Sequence, residues 1–447
     1  MSRIRIIITI IVVVLTTLLT GCTGKEPNEI AYVVALGIDS TDYDNYKITI
    51  QYANTTQISG GASESGGKAG SEIVDNVTIE APNIYAGVGL ANNIVSKSFS
   101  MSHAKLIVFS KEIAEKGVKD MIETLVRSEE IRPDVFIAVA NTTANDYLTS
   151  VNPEMEVNPA QYYQLIYQKN QLVGIPDGQL REFFTGLYTD NYDSILPVAG
   201  VIEGAGGNSQ NDDKGQSKDS QNEGSEGSSE SLDSFESKNS DENEKEKDAE
   251  KNTSKYEYDI KNYVGGETAI EKKNKAEAIG AAVFEKDKMV GELGEVETEI
   301  CKMLKGDYTY SYLTYYNNDT PDIPITVKTT QQKKPKYKID TDKKTVDIEL
   351  YIESDLYSLP ADYNVENKIE DFERDVANYT SSACTEFINN FTKKYNSDIL
   401  KLNEKVKYKF LTNNQYNWFK KNVGWSEYKF SVCTNFKVRR TGLIVRE

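Results

Sequence analysis

Residues 203–255 hold almost no side chain that a fold could bury. The run GNSQNDDKGQSKDSQNEGSEGSSESLDSFESKNSDENEKEKDAEKNTSK is Ser, Asp, Glu, Asn, Lys, Gly, Gln and one Thr, broken only by Leu232, Phe235 and Ala249. Such a stretch cannot bury enough surface to offset the entropy of ordering it, and is expected to be a disordered acidic insert. Whatever folds must therefore lie before and after it. The expected division is a leader at 1–21, an N-terminal α/β domain or domains at 22–202, the insert at 203–255 and a C-terminal α/β domain at 256–447. A Gly/Ser-rich stretch, residues 58–71, reads as a mobile loop.

The leader begins with Arg3 and Arg5, continues as a nearly unbroken aliphatic run and ends in Thr20-Gly21. Basic, apolar, small is the order that a signal peptidase reads. The run from Ile6 to Leu19 is roughly 14 residues, short of the ~20 needed to span a bilayer core. Leu19-Thr20-Gly21-Cys22 resembles a bacterial lipobox, in which the cysteine takes a diacylglyceryl group and becomes the first mature residue. A thiolate is strongly nucleophilic, and each buried methylene contributes ~0.8 kcal/mol, so two acyl chains hold a protein on a membrane. Cys22 is thus the predicted lipidation site, leaving Cys301, Cys384 and Cys433. These are odd in number, far apart and without a C-x-x-C pair, so neither a disulfide framework nor a zinc knuckle is indicated. Cys301 and Cys384 adjoin apolar helical stripes and read as buried thiols.

Hydrophobic periodicity places the elements. Ile30–Ile38 is an apolar run of strand length. Tyr46, Ile48, Ile50 and Tyr52 alternate with Lys47, Thr49 and Gln51, the period of a half-buried strand, with a hairpin loop at 40–45. Pro82 predicts the first turn of a helix running to about Lys97, with Ile84, Val88, Ala91 and Val95 inward. Leu106–Phe109 reads as a buried strand. Ser110 caps a following helix whose inner face is Ile113, Ala114, Val118, Met121, Ile122 and Leu125. Arg132-Pro133 stops that helix before a strand at 135–140. After the insert come a strand at 278–284, a turn at 285–288 and a return strand from Met289. A short helix through Val296, Ile300 and Leu304 is stopped by Gly306. A strand at 345–352 precedes one long helix carrying Val365, Ile369, Phe372, Val376, Tyr379, Ala383, Phe387, Phe391 and Tyr395. Phe430–Leu443 reads as a closing strand. The fold class is mixed α+β: serial α/β domains with mixed sheets flanked by helices.

The chain carries few signs of an active site. A net charge of -18 argues against a nucleic-acid partner. The chain has one histidine, which leaves little for acid–base chemistry near neutral pH. Asp39, Asp42 and Asp44 lack the Gly and closing Glu of an EF-hand loop and read as a solvated hairpin. Gly66-Gly67-Lys68 is followed by Ala69 where a phosphate loop needs Ser or Thr, and Gly87-x-Gly89 lacks its third glycine. His103 has no H-E-x-x-H context and reads as a structural histidine. No catalytic, cofactor-binding or metal-ligating residue is assigned, and no cofactor is expected.

Four stretches in order resemble the Ger(x)C spore germination lipoproteins, the C subunits of nutrient germinant receptors. They are Gly21-Cys22 followed by Glu29-Ile30 and VVALGID, residues 33–39; the segment from Ser98 to Ala140, with His103, Ser110, Glu112, Ala114, Arg127, Glu130 and Arg132; IGAAVFEKDKMVGEL at 279–293 with Glu297 after it; and RRTGLI at 439–444. SDILKLN, residues 397–403, carries none of the glycines that the resemblance leads one to expect there. The resemblance implies α/β domains in series, lipid-anchored at the outer face of the spore inner membrane. It implies a non-catalytic role in receptor assembly or response, beside integral-membrane A and B subunits. Gly280 and Gly291 are expected to shape a hairpin, and Gly442 to permit a tight backbone. The alternative is a solute-binding lipoprotein of a membrane transporter, which predicts two similar lobes around a cleft. A surface hydrolase would need a nucleophile constellation that the sequence does not offer.

Overall fold

The structure is a computed structural model that describes residues 3–9, 29–43, 45–54, 74–153, 156, 158–168, 174–189, 191–202, 262–268, 274–316, 324–358, 368–395 and 397–441. Cys22, Asp44, the Gly66-Gly67-Lys68 motif, the acidic run 203–255 and Gly442 lie outside these residues. The chain divides into one unit of residues 1–205 with 262–447, described below, and another of residues 206–261.

The apolar runs on both sides of the insert become strands of one sheet. Its members are β1 (Ile30–Ser40), β2 (Tyr46–Ala53), β3 (Val74–Ala81), β4 (Ser98–Ser100), β5 (Leu106–Ser110), β6 (Phe136–Ala140), β7 (Ile195–Val201), β8 (Ala276–Glu285) and β9 (Lys288–Leu293). They run in the order β3-β2-β1-β5-β6-β7-β8-β9, with β4 pairing β1. The two ends are antiparallel and the centre, β1-β5-β6-β7, is parallel, in register Leu36↔Ile107, Ile107↔Ile137 and Val139↔Val198. Parallel strands need cover on both faces, and six helices supply it: α1 (Ile84–Ala91), α2 (Lys111–Lys116), α3 (Lys119–Val126), α4 (Ala144–Ser150), α5 (Pro159–Gln168) and α6 (Leu180–Thr189). Alternation along β5 sorts the two faces. Ile107 and Phe109 join Ile84, Ile113, Ile122, Leu125 and Phe183 in one core, whereas Leu106 and Val108 join Tyr147, Leu148 and Tyr163 in another.

Three local expectations change. β2 is buried on both faces: Thr49 and Gln51 are covered as fully as Ile48 and Ile50. The covered polar groups find partners, for Gln51 Nε2 donates to the Leu148 carbonyl at 2.8 Å and the Tyr163 hydroxyl donates to Gln51 Oε1 at 2.5 Å. Helix α1 starts later and ends earlier than predicted. Asn83, not Pro82, is its cap, its side chain accepting from Ala86 N at 2.9 Å. At the other end Asn92 Oδ1 accepts from Phe99 N at 2.8 Å and turns the chain into β4. The helix capped by Ser110 is split into α2 and α3 at Gly117, whose φ is +125°. There Val118 N donates to the Asp287 carbonyl at 2.9 Å, and a Cβ on Gly117 would lie 2.7 Å from Asp287 Oδ2. The β8–β9 turn presses into the helix, which breaks to admit it.

A second sheet follows helix α7 (Glu295–Lys305), which Gly306 ends in the left-handed conformation as expected. Its strands are β10 (Tyr310–Tyr316), β11 (Pro324–Gln331), β12 (Lys336–Asp340), β13 (Thr345–Ser358) and, after helices α8 (Ile369–Tyr395), α9 (Leu402–Val406) and α10 (Asn413–Asn422), β14 (Lys429–Arg440). β11 and β12 pair in tandem along one edge of β13, and β14 runs parallel along the other. β8 belongs to both halves of the molecule. Ala282 and Phe284 face the first core, while Ala281 and Val283 pack with Cys301, Leu304, Val346, Leu350, Phe387 and Ile388. The fold is thus mixed α+β, two mixed sheets flanked by helices.

Helix α8 also closes the outer edge of β14. Val438 N donates to Glu373 Oε1 at 2.8 Å, Thr434 N to Ser381 Oγ at 2.9 Å, Val432 N to Thr385 Oγ1 at 3.0 Å and Phe430 N to Asn389 Oδ1 at 3.1 Å. Asn389 Nδ2 returns a bond to the Phe430 carbonyl at 3.0 Å. Four residues of helix rise ~6 Å and two of strand ~6.6 Å, so helix side chains four apart meet alternate strand amides.

Candidate functional site

The described side chains that the sequence singled out are mostly structural. Asp39 is buried, and its carboxylate accepts from Ala144 N at 2.6 Å and Asn145 N at 3.0 Å, clamping the end of β1 to the first turn of α4. Burial raises its pKa and those two amide bonds oppose the rise. Asp42, by contrast, is exposed, and Asp44 lies outside the described residues. His103 is exposed, with Ser102 Oγ 3.0 Å from Nδ1 and the Tyr32 ring edge-on at 4.8 Å. A Cβ on Gly87 would stand 2.6 Å from Ile48 Cδ1, so this glycine serves helix–sheet approach. Cys301 and Cys384 are buried, and burial pushes their thiols up to about 11 and about 12. Both stay protonated near neutrality and are poor nucleophiles. Among the described residues, no group of three or more His, Cys, Asp and Glu could hold a metal ion.

Sequence reasoning missed one polar constellation among the described residues. It lies where residues 191–194, the β8–β9 turn, residues 397–403 and α10 meet around an open cleft of ≈ 540 Å³. Asp193 N donates to the Asp398 carbonyl at 3.1 Å, and Asp398 N donates to Asp193 Oδ2 at 2.9 Å. The Asp398 carboxylate, buried, accepts from Leu402 N at 2.7 Å and Asn403 N at 2.8 Å, and so starts α9. Lys401 pairs with Glu182, and its ammonium stands 4.3 Å from the centre of the Tyr192 ring. Lys420 Nζ donates to the Thr189 carbonyl and to Asn191 Oδ1, each at 3.0 Å. Burial pushes the Asp398 carboxyl up to about 7; the amides of Asn403 and Leu402 oppose the rise, and the charge of Asp193 adds to it. The joint brings together residues some two hundred positions apart, and no local pattern announces it. The one trace in the sequence is the glycine-free SDILKLN, where Lys401 takes φ +58° in the region that glycine occupies most readily.

Comparison with known proteins places the two sides of this joint. Residues 24–201 match the family described as the spore germination protein N-terminal domain, and residues 279–442 match the one described as spore germination B3/GerAC like, C-terminal. The chain belongs to the GerAC-like spore germination family. Spore germination protein KC of Bacillus subtilis (strain 168) is 26% identical over 36% of this chain and 43% of its own length. Spore germination protein GerQC of Bacillus cereus is 27% identical over 23% of this chain and 29% of its own length. The matches thus span less than half the length of these relatives. The crystal structure of the GerBC protein aligns with a TM-score of 0.48 at 15% identity, over 90% of this chain and 96% of that one. In this GerAC-like chain Glu182, Tyr192 and Asp193 fall in the N-terminal family segment, and Lys286, Asp398, Lys401 and Lys420 in the C-terminal one. The joint therefore fastens one family segment to the other. Among the described residues no helix is long and apolar enough to cross a membrane.

Proposed function

We propose that this protein is a non-catalytic, lipid-anchored subunit of a spore nutrient germinant receptor. Cys22 carries the anchor and holds the folded unit at the outer face of the spore inner membrane, beside the integral-membrane A and B subunits. The reading is carried by one observation: the germination-family match begins at residue 24, directly after the lipobox-like Leu19-Thr20-Gly21-Cys22. That order suits a tethered ectodomain. Both family segments and the relatives named above are germination proteins, which favours this reading over a transporter's solute-binding lipoprotein. The two sheets also differ in strand number and pairing, whereas a solute-binding protein of that kind would show two similar lobes.

The test is made on membranes purified from spores. Mass spectrometry of the mature amino terminus is expected to find acylated Cys22, and affinity purification to recover multi-span membrane proteins with it. Cys22→Ala is expected to release the protein from the membrane and weaken the response to nutrients. An unmodified Cys22 with the leader still attached would sink the anchor. Micromolar binding of one amino acid or sugar by the purified chain alone would favour the transporter reading.

A further inference from the structure

Residues 405–421 reverse the charge of the molecule. Lys405, Lys407, Lys409, Lys420 and Lys421 fall in a segment with no Asp or Glu, in a chain of net charge -18. Glu404, exposed, marks its border. The same segment shows large apolar side chains to water: Leu411 is 95% exposed, Tyr408 78% and Trp418 68%. Leu411 immediately precedes Thr412, the cap of α10, a position from which an apolar side chain usually folds back onto the fourth helical residue. That residue is Tyr416, and its ring instead meets Phe410, with the ammonium groups of Lys407 and Lys420 at 5.7 and 5.1 Å. Leu411 remains in solvent. Beneath, the segment is fixed: Phe410 contacts Phe419 at 4.9 Å, Phe419 contacts Trp425 at 6.1 Å, and Trp425 is buried. The outward residues therefore stand on a rigid base.

Tyr and Trp with an apolar body and a polar tip settle at the boundary between headgroups and acyl chains, and neighbouring lysines add attraction to anionic lipid. We propose that residues 405–421 form a protein-borne contact with an anionic membrane surface, distinct from any lipid on Cys22. Lys407 and Lys421, both exposed, meet the phosphate headgroups. Tyr408, Leu411 and Trp418 enter the headgroup layer. The occupant is a bilayer because positive charge and exposed interfacial side chains, Tyr408, Leu411 and Trp418, coincide on this segment of a chain that is acidic overall.

The two tryptophans of the chain make the test local, since Trp425 is buried and Trp418 is not. The full-length protein, with Cys22 and as Cys22→Ala, is mixed with phosphatidylcholine vesicles that contain or lack phosphatidylglycerol. With anionic vesicles Trp418 emission shifts to the blue, acrylamide quenches it less, and lipids brominated on the acyl chain quench it more. Trp418→Phe removes the response, which assigns it. Lys407→Gln with Lys421→Gln weakens the partition about thirtyfold, added salt weakens it further, and Leu411→Ser lessens it. These positions are exposed, so the variants keep the melting temperature of the parent. The response persists in Cys22→Ala, so failure of the anchor and failure of this contact are separate results. Unchanged Trp418 emission on anionic vesicles, or equal shifts on neutral and anionic ones, overturns the proposal. A shift that needs the multi-span receptor proteins also overturns it, in favour of a protein partner.

Discussion

Asp398 ties α9, residues 191–194 and the C-terminal segment into one joint, and it does so as an acid that prefers its proton. Its folded pKa, about 7, lies above the unfolded value of 3.8. The protonated form is thus the one the fold favours, and the stability it contributes is complete below about pH 4 and lost as pH rises through about 7. Glu299 of α7, pushed by burial to about 7, acts in the same direction. The melting temperature is therefore expected to fall as pH rises from about 5 to about 8. Asp398→Asn keeps one carbonyl oxygen for Leu402 N or Asn403 N and turns its amide toward the other. It should lower stability at acid pH and flatten the slope by about 2–4 °C over that range. Differential scanning calorimetry at the two pH values reads this directly, and an unchanged slope would remove Asp398 as its source. Gly280 is the second residue whose geometry has a cost attached. Its φ is +84° and a Cβ would lie 2.6 Å from the Leu293 carbonyl, so Gly280→Ala should destabilise by about 1–3 kcal/mol in a denaturant titration. The sequence marked Gly280 and Gly291 as shaping a hairpin. Gly280 takes a positive φ that glycine adopts without strain and a larger residue could not, whereas Gly291 leaves room for the Tyr395 side chain of α8, a long-range contact that no local pattern shows.

At the scale of elements, periodicity was readable wherever one face met a core. β1, β5, β6, β8, β9, α7, α8 and β14 lie where apolar spacing put them, and Cys301 and Cys384 are buried as their neighbours implied. The strands β10, β11 and β12 went unread because their faces are polar and aromatic by turns. Tyr312 is exposed while Tyr315 is buried, and the sheet is defined by pairing with β13 rather than by its own apolar stripe. The apolar stripe of α8 was legible, but its second stripe was not. Glu373, Ser381, Thr385 and Asn389 recur at multiples of four and look like ordinary solvent-facing positions, yet each accepts an amide of β14. An open strand edge invites pairing with other chains, and here a helix occupies it with side-chain oxygens. Replacing Ser381 by Ala, Thr385 by Val and Asn389 by Leu together leaves three strand amides without these acceptors, at about 1–3 kcal/mol each where they stay buried. The triple variant is expected to unfold at lower denaturant and to form thioflavin-positive aggregates on mild heating. Stability lost without aggregation would show that α8 braces β14 but does not shield it.

At the scale of the whole molecule, the acidic run interrupts a sheet. β7 ends before it, β8 begins after it, and the two pair antiparallel from Ile195↔Val283 to Val201↔Ala276. The expected N-terminal and C-terminal regions are thus joined by a shared sheet and by the Asp193–Asp398 joint, which predicts one cooperative unfolding transition. The path across the interruption is short in space, since a Cβ on Gly265 would lie 3.0 Å from Gly200 N. Deleting residues 205–252 leaves a connector of about eleven residues, able to reach about 36 Å, ample for neighbours in contact. If the run contributes no packing, as its composition argues, the deletion costs nothing in the folded state. Closing the shorter loop then stabilises the protein by about 1.5 kcal/mol through the entropy of the unfolded chain. Calorimetry of the deleted protein should show a single transition at or slightly above the parent temperature. Two transitions would mean that the halves fold independently despite the shared sheet. A single transition at lower temperature would mean that the acidic residues pack against the fold, and the linker reading would fall.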